Sequence, residues 1–336
     1  MVSTTAEQRL PDIALTLGDP AGIGPELAVK VLAKPGNLDR ARVFVLADRA
    51  EIESVCAEIG VQVPLSDTPE TGYATPLPGP VPRVPVERGK VSREAGERAL
   101  NDLRWALDLH RAGRVDGIMF TPLNKSSLHL GGMTTEDELR WFADELGYRG
   151  TTAELNNVDA LWTGRVTSHI PLSEVARHIT TSNVMAAIRL LRDALRGVGV
   201  SEPRLAVCAL NPHAGENGNF GREEIDEIAP AVEAARAEGI DASGPFPCDT
   251  LFIKARAGDY DGVVTMYHDQ GQIALKTIGF DRGVTVQGGL PVPIATPASG
   301  TAFDIVGKGI AGTGAAERAF DVLVAMAASK AAARIS

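Results

Sequence analysis

Apolar, β-branched runs alternate along the chain with segments whose apolar residues recur at three- and four-residue spacing. That alternation predicts an α/β protein with much parallel sheet. Strands are expected at residues 12–17, 42–46, 117–120, 204–210 and 262–266, and helices at 25–33, 93–112, 172–196, 223–238 and 315–334. The segment SREAGERALNDLRWALDLH holds the helical period, with Gly113 just beyond to stop it, and the helix at 223–238 likewise ends against Gly239. Residues 64–90, dense in proline and glycine but also carrying Val81, Val84 and Val86, read as an irregular surface excursion.

Several of these strands run directly into short polar turns. IALTL leads into GDPAGIGPE (18–26), GIMF into TPLNK (121–125), RLAVCAL into Asn211-Pro212-His213, and GVVTM into Tyr267-His268-Asp269. Ligands of open α/β sheets bind at the carboxyl ends of strands. Asp19, Lys125, His213 and His268 would therefore converge if their strands share a sheet, and His169 stands just before Pro171 in a similar turn. Three of the six histidines thus occupy strand-to-turn junctions. A histidine at a turn is often only a structural hydrogen-bonding residue, but three together suit a divalent ion with open positions for substrate oxygens. The glycine-rich 18–26 segment has neither the G-x-G-x-x-G nor the Walker spacing; it is either an anion-meeting βα turn or simply a tight one with Pro25 opening the helix. Read by itself, SGTAFDIVGKG (299–309) is a loop leading into a short helix and a turn.

Composition narrows the classes. The 336 residues suit about two domains, and the 44% hydrophobic fraction is that of an ordinary globular protein. A net charge of −10 argues against nucleic acid as a partner. No run approaches the ~18 apolar residues of a membrane helix, and MVSTTAEQRLPD has no signal-peptide core. Cys56, Cys208 and Cys248 are too few and scattered for a disulfide framework, so a reduced, cytoplasmic setting is expected, with Cys208 as a small core residue.

Taken together with SHIPL (168–172), LNPHAGENG (210–218), GPFPCDTLF (244–252) and MYHDQGQIALK (266–276), these motifs make the chain resemble the 4-hydroxythreonine-4-phosphate dehydrogenase family of pyridoxal phosphate biosynthesis over nearly its whole length. The resemblance implies a two-lobed fold like that of isocitrate and isopropylmalate dehydrogenases, with the active-site cleft between the lobes, and a homodimer that shares its active sites. The first, nucleotide-side lobe is expected at 1–130 plus 300–336 and the second, metal, substrate and dimer lobe at 131–299. It further implies that His169, His213 and His268 ligate a divalent metal such as zinc or magnesium, one of them donated by the partner subunit. Lys276 and Asp249 match the family's active-site lysine and aspartate, though Lys276 alone could equally be a solvated lysine. Gly300, Thr301, Ala302 and Asp304 fall on the loop that holds the adenosine half of NAD, and Ser299 stands where relatives usually have histidine. The implied reaction is hydride transfer from a secondary alcohol of a small hydroxy acid to NAD, followed by decarboxylation.

The sequence departs from the family where the substrate would be gripped. Lys125, Asp137, Thr285 and Lys276 are the substrate contacts that the resemblance assigns. Yet residues 131–138 lack the family's His-Thr pair and are acidic, Thr285 stands in place of asparagine, and Ile294 in place of arginine. Such losses remove charge-assisted bonds worth roughly 1.5–3 kcal/mol each. They suggest a paralogue with another substrate, such as a phosphorylated sugar acid or an aromatic cis-dihydrodiol carboxylate of the terephthalate type. A metallohydrolase without NAD, with Asp249 or Asp269 activating water, and a metabolite-binding protein are the competing classes.

Overall fold

The computed structural model describes residues 9–333. The start of the N-terminal segment (1–8), on which the signal-peptide reading rests, and the last predicted helical residue, 334, lie outside the described residues. In chain order the elements are β1 (Asp12–Thr16), α1 (Gly24–Ala33), α2 (Asn37–Arg40), β2 (Arg42–Val45), α3 (Arg49–Ile59), β3 (Ala74–Pro76), α4 (Arg93–Arg111), β4 (Gly117–Phe120), α5 (Lys125–Leu130) and α6 (Glu138–Glu145). Then come β5 (Ala153–Val158), β6 (Leu161–Arg165), α7 (Val175–His178), α8 (Thr181–Gly197), β7 (Leu205–Cys208), α9 (Ala229–Ala237), β8 (Ala242–Phe246), α10 (Cys248–Arg256), β9 (Gly262–Thr265), α11 (His268–Gly279) and β10 (Val284–Gly288). The chain finishes with β11 (Ile294–Pro297) and α12 (Gly314–Ala333). This is the expected α/β class.

Two compact units result, one ending at Leu146 and resuming at Val292, the other Gly147–Pro291. The first carries parallel strands in the order β3-β2-β1-β4-β11. Its middle strand β1 is buried at all five residues, which is why DIALT reads as a continuous run and not as an alternation. Even Asp12 is inside, held by Arg42 Nε and Nη2, both at 2.7 Å. Helix α4 starts where the Ser92 hydroxyl accepts the Ala95 amide at 3.1 Å, and it buries Ala99, Leu100, Leu103, Ala106 and Leu107. Gly96 lets α4 touch α5: a Cβ there would lie 1.8 Å from the Ser127 carbonyl oxygen.

The second unit orders its strands β10-β5-β6-β9-β7-β8. Here β5 pairs antiparallel with both β10 and β6, while β6, β9, β7 and β8 run parallel. Helix α11 lies close to the sheet through Gly271, Leu275 and Gly279, a four-residue stripe. A Cβ on Gly279 would come within 2.8 Å of Val158.

Three expectations need correction. The single helix foreseen at 172–196 is a 3-10 turn, Leu172–Glu174, the short α7, and then α8. Thr180 ends the first piece in extended conformation, and its hydroxyl caps the new helix by accepting the Asn183 amide at 3.3 Å. The helix foreseen at 223–238 begins instead as a π turn, Glu224–Ile228, before α9. Pro230, near the start of α9, has no N–H to continue an α ladder, which accounts for the widened turn. Finally, the excursion at 64–90 contains the edge strand β3, with Pro76 at its end where no ladder donor is needed. Cys208 is fully buried, as expected of a core thiol, and burial pushes its titration up. Among the described residues no helix is long and apolar enough to cross a membrane.

Candidate metal and active site

The second unit places the histidines at strand ends. His169 follows β6, His213 follows β7, and His268 opens α11 directly after β9. The His169 turn is laid against the end of β9 by Val166 N donating to the Thr265 carbonyl at 2.9 Å and Thr167 Oγ1 to the Met266 carbonyl at 2.8 Å. The rings of His169 and His268 consequently face each other, with centroids 5.8 Å apart and a 44° tilt. His268 Nδ1 lies 2.7 Å from Asp269 Oδ1, a carboxylate partner that fixes the ring and leaves Nε2 for a ligand.

His213 is set differently. It begins a five-residue left-handed turn, with φ of 53°, 53°, 77°, 42° and 56° at His213, Ala214, Gly215, Glu216 and Asn217. L-residues pay about 1–2 kcal/mol each for that region. The buried Glu224 holds the turn's entrance: its Oε1 accepts the Leu210 and Asn211 amides at 2.8 and 2.7 Å, and its Oε2 accepts Asn211 Nδ2 at 3.0 Å. Strain at such a place is retained where the side chain it presents has a use. His213 is exposed and lines a cavity of about 640 Å³ with Asp249, Cys248, Tyr267 and Asp269. Gln270 braces its walls, donating Nε2–H to the Ala209 carbonyl at 2.8 Å and accepting the Met266 amide at 2.7 Å. Burial raises the Tyr267 hydroxyl's titration, with Cys248 and Asp269 adding to the effect.

Asp249 is exposed in the first turn of α10, and Lys276 is exposed in the last turn of α11. Thr285 accepts a hydrogen bond from Asn156 Nδ2 at 3.1 Å on β5. Among the described residues of this unit, no three His, Cys, Asp or Glu side chains bring ligand atoms within 4.8 Å of one another. The structure therefore pairs His169 with His268 and does not close all three histidines into one site within the unit. The donor set still fits a borderline divalent ion: imidazole nitrogens with open positions, and a carboxylate behind one ring.

In the first unit, Lys125 is the exposed first residue of α5, behind the Asn124 cap. Asp137 caps α6, its Oδ1 accepting the Arg140 amide at 2.8 Å, and is buried. The glycine-rich 18–26 turn is the tight, inward-bonded kind. The Ala21 amide donates to Asp19 Oδ1 at 2.8 Å, Gly22 N to the Asp19 carbonyl and Ile23 N to the Thr301 carbonyl, both at 3.0 Å, so these three amides do not wait for an anion. Burial raises the Asp19 carboxyl's titration. The 299–309 segment lies on this turn: Thr301 is buried, Ala302 is left-handed at φ 42°, and Phe303–Ile305 forms a 3-10 turn that leaves Asp304 exposed. Gly300 has open space around it.

The family profile described as pyridoxal phosphate biosynthetic protein PdxA matches residues 39–323. The chain belongs to the PdxA family. Its similarity extends along whole relatives. A Pseudomonas aeruginosa protein, provisionally named 4-hydroxythreonine-4-phosphate dehydrogenase 2, is 51% identical over 96% of this chain and 98% of its own. The D-threonate 4-phosphate dehydrogenase of Cupriavidus necator is 40% identical over 90% and 93%. Among solved structures, the 4-hydroxythreonine-4-phosphate dehydrogenase of Klebsiella pneumoniae superposes with a TM-score of 0.81 at 35% identity, covering 97% of this chain and 100% of that one. A terephthalate 1,2-cis-dihydrodiol dehydrogenase of Burkholderia xenovorans gives 0.66 at 27%, covering 90% and 94%. The chain is thus a PdxA-family dehydrogenase, an oxidoreductase acting on a CH–OH group.

Sequence reasoning missed Glu224, Gln270, Arg165 and Asn156. The first two hold up the histidine turns from below, and nothing in their local spacing marks them.

Proposed function

We propose that the protein is an NAD-linked, divalent-metal-dependent dehydrogenase of a small phosphorylated hydroxy acid, oxidising a secondary alcohol and then releasing carbon dioxide. The observation that carries this reading is the facing pair His169 and His268 at adjacent strand ends of a PdxA-family chain. His169 and His268 would hold the ion from one protomer, and His213 would serve the corresponding site of a partner copy. Exposed apolar side chains on the histidine-bearing unit support such a homodimer: Leu172 and Ile253 at 71%, Ile273 at 66% and Phe280 at 63% exposure. When bound, the ion supplies Lewis acidity and NAD the hydride acceptor.

The chain's own residues do the rest. Asp249, in the first turn of α10, orients the substrate hydroxyl and receives its proton, while the cationic Lys276 donates a hydrogen bond to substrate oxygen. Thr285, and on the first unit Lys125 and the α6-capping Asp137, are the further substrate residues that the family resemblance assigns. Gly300, Thr301, Ala302 and Asp304 would take the adenosine half of NAD, Gly300 through its open backbone and Asp304 through a carboxylate suited to ribose hydroxyls. The three free cysteines fit a reducing, cytoplasmic setting.

Phosphorylated four-carbon acids are favoured over an aromatic dihydrodiol because relatives named for the former are 51% and 40% identical, against 27% for the latter. The test follows NADH absorbance with D-threonate 4-phosphate, 4-phosphohydroxy-threonine and a dihydrodiol carboxylate, each with zinc or magnesium and after chelation. Metal-dependent NADH formation with a phosphorylated acid is expected. Turnover that persists in chelator, or only with the dihydrodiol, would overturn the reading.

A further inference from the structure

We propose that Arg165 is a positioning residue that sets the relative placement of His169 and His268, an inference that rests on the metal reading above. Arg165 ends β6 with its side chain only 5% exposed. A buried guanidinium gains little net stability even when paired, so its partners matter more than its charge. Its Nε donates to Ser168 Oγ at 2.9 Å, Nη1 to Asn156 Oδ1 at 2.7 Å and Nη2 to Glu154 Oε2 at 2.5 Å.

Those partners reach both histidine segments. Ser168 is the residue before His169. Asn156 Oδ1 also accepts Gln272 Nε2 at 2.7 Å, from the first turn and a half of α11, the helix that His268 opens. Two donors on Oδ1 fix which way the Asn156 amide faces. Its Nδ2 is then directed at Thr285 Oγ1, 3.1 Å away, so the Thr285 hydroxyl accepts here and its proton is turned to another acceptor. One guanidinium thereby orders the His169 turn, the α11 register and the Thr285 rotor. Every guanidinium nitrogen is engaged and Glu154 balances the charge, so Arg165 orders the site without offering itself to a substrate anion.

The test uses full-length Arg165→Lys, which keeps the charge but not the three-way geometry, and the double variant Arg165→Met/Glu154→Leu, which replaces the pair with apolar volume. Zinc affinity is measured by calorimetry, and thermal melting alongside it. A 10–100-fold weaker zinc affinity is expected in both variants, the size seen when a residue behind a metal ligand is changed, with the double variant melting like the parent. Zinc affinity equal to the parent's in either variant, or a loss matched by unfolding in both, overturns the inference. A parent that binds no zinc would overturn the metal reading instead. The inference is then decided by the imidazole NMR resonances of His169 and His268, which must move in Arg165→Lys for it to survive.

Discussion

Two glycine-rich turns follow parallel strands in this protein, and they are built to opposite ends. The 18–26 turn of the first unit turns its amides inward: those of Ala21, Gly22 and Ile23 all have backbone or Asp19 partners, and Glu26 Oε1 accepts the Ala311 amide at 2.8 Å and Lys30 Nζ at 2.7 Å, while Asp19 Oδ2 and Glu26 Oε2 are buried without a hydrogen-bond partner. The 210–218 turn of the second unit is propped from beneath by Glu224 in a left-handed conformation, and leaves His213 outside. From sequence both are polar, glycine-rich strand ends. What separates the two turns is whether the fold pairs the turn's amides or strains the backbone to present a side chain.

The sharpest way to break that contrast is to remove a presented group. His268→Ala should leave melting nearly unchanged, since the side chain is 38% exposed, yet cut kcat/KM by at least about 100-fold, because Lewis-acid stabilisation is worth several kcal/mol and each 1.36 kcal/mol is tenfold. Steady-state NADH kinetics at saturating metal decide it. A loss under tenfold would place His268 with the architectural residues. Next in size, Glu224→Ala strips the acceptor from two backbone amides in a buried place, and should cost roughly 2–4 kcal/mol in urea unfolding. Activity should fall with it, as the His213 turn relaxes; an unchanged midpoint would mean that the turn holds its shape unaided.

In the first unit the same kind of change should act on packing and leave the histidines untouched. Gly22→Ala puts a Cβ within 2.8–2.9 Å of Thr301, a collision that costs about 1–3 kcal/mol in a packed interior. Melting measures the cost. NAD affinity, read by calorimetry, should fall as well, because the collision is with Thr301, while zinc affinity stays that of the parent; a drop in zinc affinity while the fold held would end the contrast.

Which of these features could be read beforehand follows from their range along the chain. Strands such as 117–120 and helices such as 93–111 were legible because their period and caps are local. The break at Thr180 was not read, although the cap residues stand in the sequence, because the apolar period runs on across it. The π turn ahead of Pro230 was missed for a similar reason: the period hides a local loss of one donor. The histidines were found by their strand-end positions and by long motifs. Glu224 and Arg165 act through space: Glu224 binds residues 13 and 14 positions away, and Arg165 reaches α11 through Asn156, 116 positions from Gln272. No pattern of neighbours encodes such distances.

The last expected effect is a pH dependence set by a buried carboxylate of the first unit. Asp102 on α4 is buried against Arg83, whose Nη2 and Nη1 lie 3.0 and 3.2 Å from its oxygens, with Arg98 and Glu51 alongside. Burial outweighs both arginines and, with a lesser push from Glu51, raises its carboxyl from 3.8 to about 6. Between those values the folded protein keeps a proton that the unfolded chain releases. The stabilising contribution is therefore complete below about pH 4, is lost as pH rises to about 6, and stays flat beyond. Paired carboxylates elsewhere titrate with the opposite slope, so the informative quantity is the difference between parent and Asp102→Asn in urea midpoints from pH 4 to 7. The variant should lack a decline of at most about 3 kcal/mol, while the pH profile of kcat/KM stays that of the parent. Identical slopes in both proteins would return Asp102 to an ordinary ionised partner of Arg83. A shifted activity profile would instead tie this buried carboxylate to catalysis, and the contrast between groups that hold the first unit together and the histidines that the second presents would no longer stand.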